Sequence, residues 1–407
     1  YTRQIRPPAP IWPLRFRHGG PLNMDAESLV IIGSGLAGYT VAREFRKLDA
    51  GTPIQIISAD HGGFYSKPML SNALATGKTP VSILNANAEK MAEQLKMTIR
   101  PHSRVTSIEP AGKSVTLQGG EKLSYGHLIL ALGADPIRLP LEGDGADAIL
   151  SVNDLDDYHQ LCTVLKGKKE VTILGAGLIG CEFANDLAVA GYRVRVIDIS
   201  AQPLGRLLPP SGGAFLRRKL EAIGVTFHMG AATQRVERIH ESLRLTLASG
   251  EIIQTDVLLS AIGLRPRTAL AEAAGIAVNR GIAVSRSLQT RYTNIFALGD
   301  CAEVEGRVLP FVMPIMHAAR GLAATLAHTP TPVRYPAMPV LVKTPACPTV
   351  VSPPDAGTQG EWEVEENEGG IKALFRSVEG KLLGYALLGT ATKEKNLLAA
   401  QLPAVME

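Results

Sequence analysis

The chain of 407 residues has only four cysteines, at positions 162, 181, 301 and 347. Their spacing makes no C-x-x-C pair and no zinc pattern. Cysteines scattered in this way are expected to be reduced and mostly buried, in a reducing compartment. Without a neighbouring pair, dithiol exchange is disfavoured. Long apolar runs are also lacking. A membrane span needs about 20 such residues, and the best stretch, around 171–190, is broken by Gly175, Gly177, Gly180, Glu182 and Asp186. Prolines and arginines stand in residues 1–23, where a secretory signal would be apolar. A cytoplasmic protein is therefore the expectation. Excess charge is lacking too. Arg3, Arg6, Arg15 and Arg17 supply the net +4, and the rest of the chain is balanced. The charge gives no reason to expect a nucleic acid or a membrane as partner. Residues 1–23 are expected to lie outside the fold.

What is present is a chain 45% hydrophobic and 20% charged, which excludes bulk disorder. Its length suggests roughly two to three domains. The apolar run 29–32 reads as a buried strand, 33–38 as a turn, 39–48 as a helix and 54–57 as a second strand. The same order returns at 171–174, 175–180, 181–190 and 193–197. The two copies stand 142 residues apart. Strand signals follow each copy, at 105–108, 114–117 and 127–132, then at 225–228, 243–247 and 257–261. A further strand is expected at 295–298. Pro314 suits the first turn of a helix reaching about 327. A proline-rich linker at 330–339 precedes strands at 361–364, 371–375 and 382–388 and a short helical run at 395–401. The fold class is α/β, with two Rossmann-like dinucleotide-binding domains and a small C-terminal α/β domain.

The chemistry lies in the two turns. Gly33-Ser34-Gly35-Leu36-Ala37-Gly38 and Gly175-Ala176-Gly177-Leu178-Ile179-Gly180 both match G-x-G-x-x-G between a strand and a helix. The first glycine permits the tight turn, the second lets a pyrophosphate approach the backbone, and the third lets helix and strand pack closely. The helix start then offers N–H donors to the phosphates. The second strand of such a unit ends in an acid for the ribose hydroxyls. Asp198 fills that place in the second copy. A carboxylate there favours NADH, since it repels a 2′-phosphate. In the first copy Ser58 stands there, with Asp60 two residues on. Ser58, the backbone at Ala59 and Asp60, and the Asp60 carboxylate all remain candidates.

Further stretches resemble one family. Thr293–Asp300 (TNIFALGD) looks like the second FAD motif of the flavoprotein pyridine-nucleotide reductases. Ala131-Leu132-Gly133 and Ala261-Ile262-Gly263 resemble the crossings between FAD and NAD domains. Within that superfamily the chain resembles the rubredoxin–NAD(+) reductases, through Tyr65-Ser66-Lys67-Pro68-Met69-Leu70-Ser71, through residues 180–186 (GCEFAND) and through 342–348 (VKTPACP). The resemblance spans about 24–407. It implies an FAD domain at 24–137 and 256–331, an NAD domain at 138–255 and a C-terminal domain at 332–407.

The resemblance also implies roles. Ser34–Ala37 would hold the FAD pyrophosphate, with Asp60 near the adenosine ribose and Val105 touching the adenine through its backbone. Asp300 would bind the ribityl hydroxyls, and Val312 would sit by the pyrimidine end of the flavin. Lys67, beside Pro68, and Lys343 are the cations expected near the isoalloxazine or the phosphates. Glu182, placed in the first turn of its helix, would orient the nicotinamide. Ala131 and Gly263 would approach the cofactors from the crossings. No metal ligand set is expected. Lacking a redox disulfide, and any cysteine before Cys162, such a chain would take hydride from NADH onto FAD and pass single electrons outward. The implied acceptor is rubredoxin, a small acidic iron protein, feeding an alkane monooxygenase. Alternatives are the reductase of an oxygenase ferredoxin, the reductase of a flavorubredoxin in nitric oxide detoxification, and a flavin-bound redox sensor.

Overall fold

The computed structural model describes residues 28–407. The extension expected at 1–23 lies outside the described residues. Leu29–Ile32 and Glu170–Leu174 are apolar strands at the heart of two parallel sheets. Burial on both faces explains why they show no alternation of polar and apolar residues. In the first sheet the strand order is Ile295–Ala297, His127–Leu130, Leu29–Ile32, Ile54–Ile57, Thr98–Arg100. In the second it is Val257–Ser260, Glu170–Leu174, Arg193–Asp198, Val225–Met229. The orders correspond strand for strand, apart from the extra outer strand Ile295–Ala297. Each unit also carries a three-stranded antiparallel meander, beginning at Val105–Glu109 and at Thr233–Ile239.

The fingerprint helices run over Leu36–Leu48 and Leu178–Val189. Both start three residues before the positions that the hydrophobic pattern predicts. Gly38 and Gly180 read as turn residues in sequence, yet they lie inside the first helical turn. The consequence falls on Glu182, which is the fifth residue of its helix and not part of its first turn. The helix expected around Pro314 runs over Val312–Leu326 and holds that proline in its first turn.

The chain crosses between the units through one antiparallel pair, Ala134–Pro136 with Leu264–Pro266. Arg267 fastens it, with Nε bonded to Asp135 and Nη1 to the Leu132 carbonyl. The return crossing therefore lies at 264–266, not at the expected 256. Val257–Ser260 pairs with Glu170–Leu174 and belongs to the second sheet. An apolar run announces a buried strand but not the sheet that takes it.

The C-terminal unit is an antiparallel sheet in the order Val340–Val342, Thr349–Ser352, Leu382–Gly389, Gly370–Arg376, Glu361–Asn367, with a short helix at Lys395–Ala399. It shares one apolar core with the second unit. Val342, Cys347, Val351, Ile371 and Leu388 pack in the same cluster as Ile173, Phe215 and Leu216. No helix among the described residues is long and apolar enough to cross a membrane.

Candidate functional site

The two glycine turns have nearly the same geometry. Gly33 has φ +114° and Gly175 has φ +103°. A Cβ at Gly33 would stand 2.2 Å from the Ala131 carbonyl oxygen, and one at Gly175 would stand 2.6 Å from that of Ala261. A Cβ at Gly38 or Gly180 would lie 2.0 or 1.9 Å from the carbonyl oxygen of the first glycine of its own turn. The chain's own backbone thus requires the first and third glycines. It does not require the second. A Cβ on Gly35 or Gly177 would meet nothing within 4 Å. Neither helix has a side-chain cap, so its first amides lack an intramolecular acceptor. Uncapped donors beside an exposed, unobstructed glycine fit a pyrophosphate. In these turns Ser34 and Ala37 are buried and Leu36 and Leu178 half-buried, while Ile179 is exposed.

The acidic residues near the turns differ. Asp198 accepts the Ala176 N–H on Oδ2 at 2.5 Å and the Ser200 N–H on Oδ1 at 2.6 Å. Its carboxylate thereby braces the second glycine turn. In the first copy Ser58 is buried, with its Oγ 2.6 Å from Ser34 Oγ, and it donates to Asp60. Asp60 Oδ1 also accepts Ser34 Oγ at 3.1 Å and the Gly62 N–H at 2.8 Å. Burial raises the Asp60 pKa, but the bonds from Ser58 and Gly62 outweigh it and hold the carboxyl below its ordinary value. Ser58 is thus committed to Ser34 and Asp60, whereas all three bonds to Asp60 fall on one of its oxygens. Ala59 is exposed.

The second FAD-like motif lies against the first turn. A Cβ on Gly299 would stand 2.9 Å from Ala37 Cβ. Asp300 follows, in the turn Gly299–Cys301, and burial pushes its carboxyl above the ordinary value, with Lys67 working against the shift. Lys67 opens the short helix Lys67–Asn72, with Pro68 next. Burial lowers the Lys67 pKa, and the charge of Asp300 opposes this. The ammonium of Lys67 donates to Asn153 Oδ1 at 2.7 Å. Val105 is buried at the start of its strand, and Val312 is exposed at the start of its helix. Ala131 is buried, and the Gly263 carbonyl accepts the Ile137 N–H at 3.0 Å.

The three stretches that carried the closer resemblance meet on one helix face. Glu182 is completely buried and forms an ion pair with Lys343. Its Oε1 also accepts the Lys343 backbone N–H at 2.9 Å, and its Oε2 accepts the Ser71 hydroxyl at 2.5 Å. Lys343 Nζ reaches Ser71 Oγ at 3.1 Å. One turn on, Asn185 accepts the Ala346 N–H, and Asp186 accepts those of Leu74 and Ala75. The second fingerprint helix is thereby fastened to both other units. The structure seats the Lys343 ammonium on Glu182. Sequence reasoning assigned no role to Asn153 or Asp186. A lone asparagine ahead of the Asp154 N-cap carries no local signal of its partners. All four cysteines are free, and burial pushes the Cys301 thiol up to about 11.

Comparison with known proteins agrees with this architecture. Residues 27–323 match the family described as pyridine nucleotide-disulphide oxidoreductase, and residues 332–402 match the rubredoxin binding C-terminal domain. The chain belongs to the pyridine nucleotide-disulphide oxidoreductase family. It is 49% identical to a rubredoxin-NAD(+) reductase of Alcanivorax borkumensis, over 93% of this chain and 99% of that protein. It is 38% identical to a nitric oxide reductase FlRd-NAD(+) reductase of Aeromonas salmonicida, over 93% of this chain and 97% of that one. A ferredoxin reductase from Rhodopseudomonas palustris superimposes with a TM-score of 0.84 at 25% identity, covering 92% of this chain and 95% of that one.

Proposed function

We propose that this chain is an NADH-dependent flavoprotein that delivers single electrons to rubredoxin. The observation that carries this reading is a rubredoxin-binding type of C-terminal domain, at 332–402, on a body with two dinucleotide turns. The relatives at 49% and 46% identity are rubredoxin-NAD(+) reductases. FAD, when bound, accepts a hydride from NADH and gives electrons up singly.

The chain's own residues hold and orient. The first unit would take FAD, with the amides of Ser34–Ala37 at the pyrophosphate and Asp60 at the adenosine ribose. Val105 would meet the adenine, Asp300 the ribityl hydroxyls and Val312 the pyrimidine end. The second unit would take NADH at Gly175–Gly180. Asp198, already bonded to two backbone amides, keeps acceptor capacity for ribose hydroxyls and none for a 2′-phosphate. Glu182 and Lys343 would fix the approach of the two cofactor sites. Ala131 and Gly263 would border them, with Lys67 on the FAD side. With the corrected return crossing, the FAD unit comprises the chain up to about 136 and from about 264 to 331. The domain from 332 would receive the acceptor. An alkane monooxygenase downstream, which rests on the family resemblance, and a cytoplasmic setting, which rests on the scattered cysteines and the lack of a membrane-length apolar run, complete the reading.

Anaerobic stopped-flow tests it. Flavin reduced by NADH should bleach rubredoxin quickly and a [2Fe–2S] ferredoxin slowly. Faster ferredoxin reduction would reassign the chain to an oxygenase system. The Aeromonas relative supports one second reading, in which the acceptor is the rubredoxin module of a flavorubredoxin. Preference for that module over free rubredoxin would establish it.

A further inference from the structure

The two lysines expected near the flavin are held in opposite ways. Lys343 sits on the buried carboxylate of Glu182, so its charge is cancelled where it stands. Lys67 has no such partner. Among the described residues no carboxylate oxygen lies within 4.0 Å of its ammonium. Its acceptor is the neutral amide oxygen of Asn153, at 2.7 Å.

Asn153 is itself fixed. It is buried, and its Nδ2 donates to the Ala134 carbonyl at 2.9 Å. Its backbone N–H donates to Asp157 Oδ2 at 2.8 Å. Ala134 belongs to the strand that crosses between the units. The amide therefore ties a lysine of the first unit to the crossing from the outset of the second. An aspartate has nearly the same shape and would accept the same bond. It would also neutralise the ammonium and lose the donor to Ala134.

We infer that Asn153 is a positioning residue for Lys67, holding its ammonium in place without pairing it to a carboxylate. The chemistry served is the negative charge of a reduced flavin, which a nearby cation stabilises, its charge here opposed only beyond ion-pair distance by Asp300, Asp154 and Asp157. This rests on the placement of FAD beside Lys67 in the proposed function.

The test is the flavin midpoint potential of the holoenzyme, read by anaerobic dye-equilibrated titration. It is measured for the wild type, Asn153→Asp, Asn153→Ala, Lys67→Met and Asn153→Asp combined with Lys67→Met. Flavin content and reduction of the wild type by NADH are recorded first, and they alone judge the proposed function. Asn153→Asp should disfavour reduction about tenfold, roughly 30 mV for a two-electron couple. Lys67→Met should move the potential in the same direction. Asn153→Ala should lower kcat with the KM for NADH unchanged. In the double variant the aspartate should add less than it does alone. An equal shift in both backgrounds would mean that the new charge acts directly on the flavin, which overturns the inference. So would an unshifted potential in Asn153→Asp. If Asn153→Asp loses FAD, Asn153→Ala carries the comparison, and wild-type potential and kcat there overturn it. If both lose FAD while Lys67→Met keeps it, Asn153 is a purely structural tie and the inference falls.

Discussion

The two dinucleotide units share a turn and differ one helical turn later. Thr40, Arg43 and Glu44 in the first helix occupy the places of Glu182, Asn185 and Asp186 in the second. The first set is satisfied within its own unit. Thr40 is buried with its hydroxyl 4.0 Å from the Met316 sulfur, Arg43 lies over the Phe64 ring, and Glu44 pairs with Lys47. The second set reaches residues 111 and 161 positions away. A fingerprint therefore prescribes only the start of its helix. The face beyond it is free to become an internal contact or a joint.

The largest expected break of this comparison is Lys343→Met. It leaves Glu182 buried and without its cation, which should cost about 3 kcal/mol. Thr40→Val in the first copy should cost less than about 1 kcal/mol. Thermal melting of the two variants checks the contrast. Gly35→Ala and Gly177→Ala sharpen the likeness. Neither Cβ meets protein, so melting should stay within about 0.5 kcal/mol of the wild type. FAD affinity in the first and NADH affinity in the second should each fall at least about tenfold, about 1.4 kcal/mol. Equilibrium binding would show it. Asp198→Ala should raise the KM for NADH by about tenfold while FAD is retained. Unchanged NADH kinetics would remove its ribose role.

The smallest effect concerns pH. The Asp60 pKa is lowered on folding, so its contribution is complete above about pH 4. It is lost as the pH falls through the lowered value. Asp60→Asn should flatten this part of the acid limb of a melting profile. An unchanged acid limb would count against the bonds from Ser58 and Gly62.

The local features were legible in sequence. Both glycine turns could be read, because tight turns and close backbone contacts leave a residue-type signature over six positions. The apolar runs at 29–32 and 171–174 marked the strands that lead into them. Pairings over long separations were not legible. The return boundary is not marked locally, because Val257–Ser260 joins a strand almost 90 residues earlier in the chain. Glu182, Ser71 and Lys343 stood in three conspicuous stretches, yet nothing local says that they touch. Asn153 left no mark, since its importance lies wholly in the partners that the fold brings to it.

The joint at Glu182 also bears on how such chains are put together. By sequence, 27–323 and 332–402 match two separate families, as though the C-terminal piece were an interchangeable part. The contact between them is not interchangeable. A grafted domain that packs well but brings no cation to the place of Lys343 would strand a carboxylate in the interior. Replacing the C-terminal domain of this chain would therefore call for a donor that carries a cation at the place of Lys343.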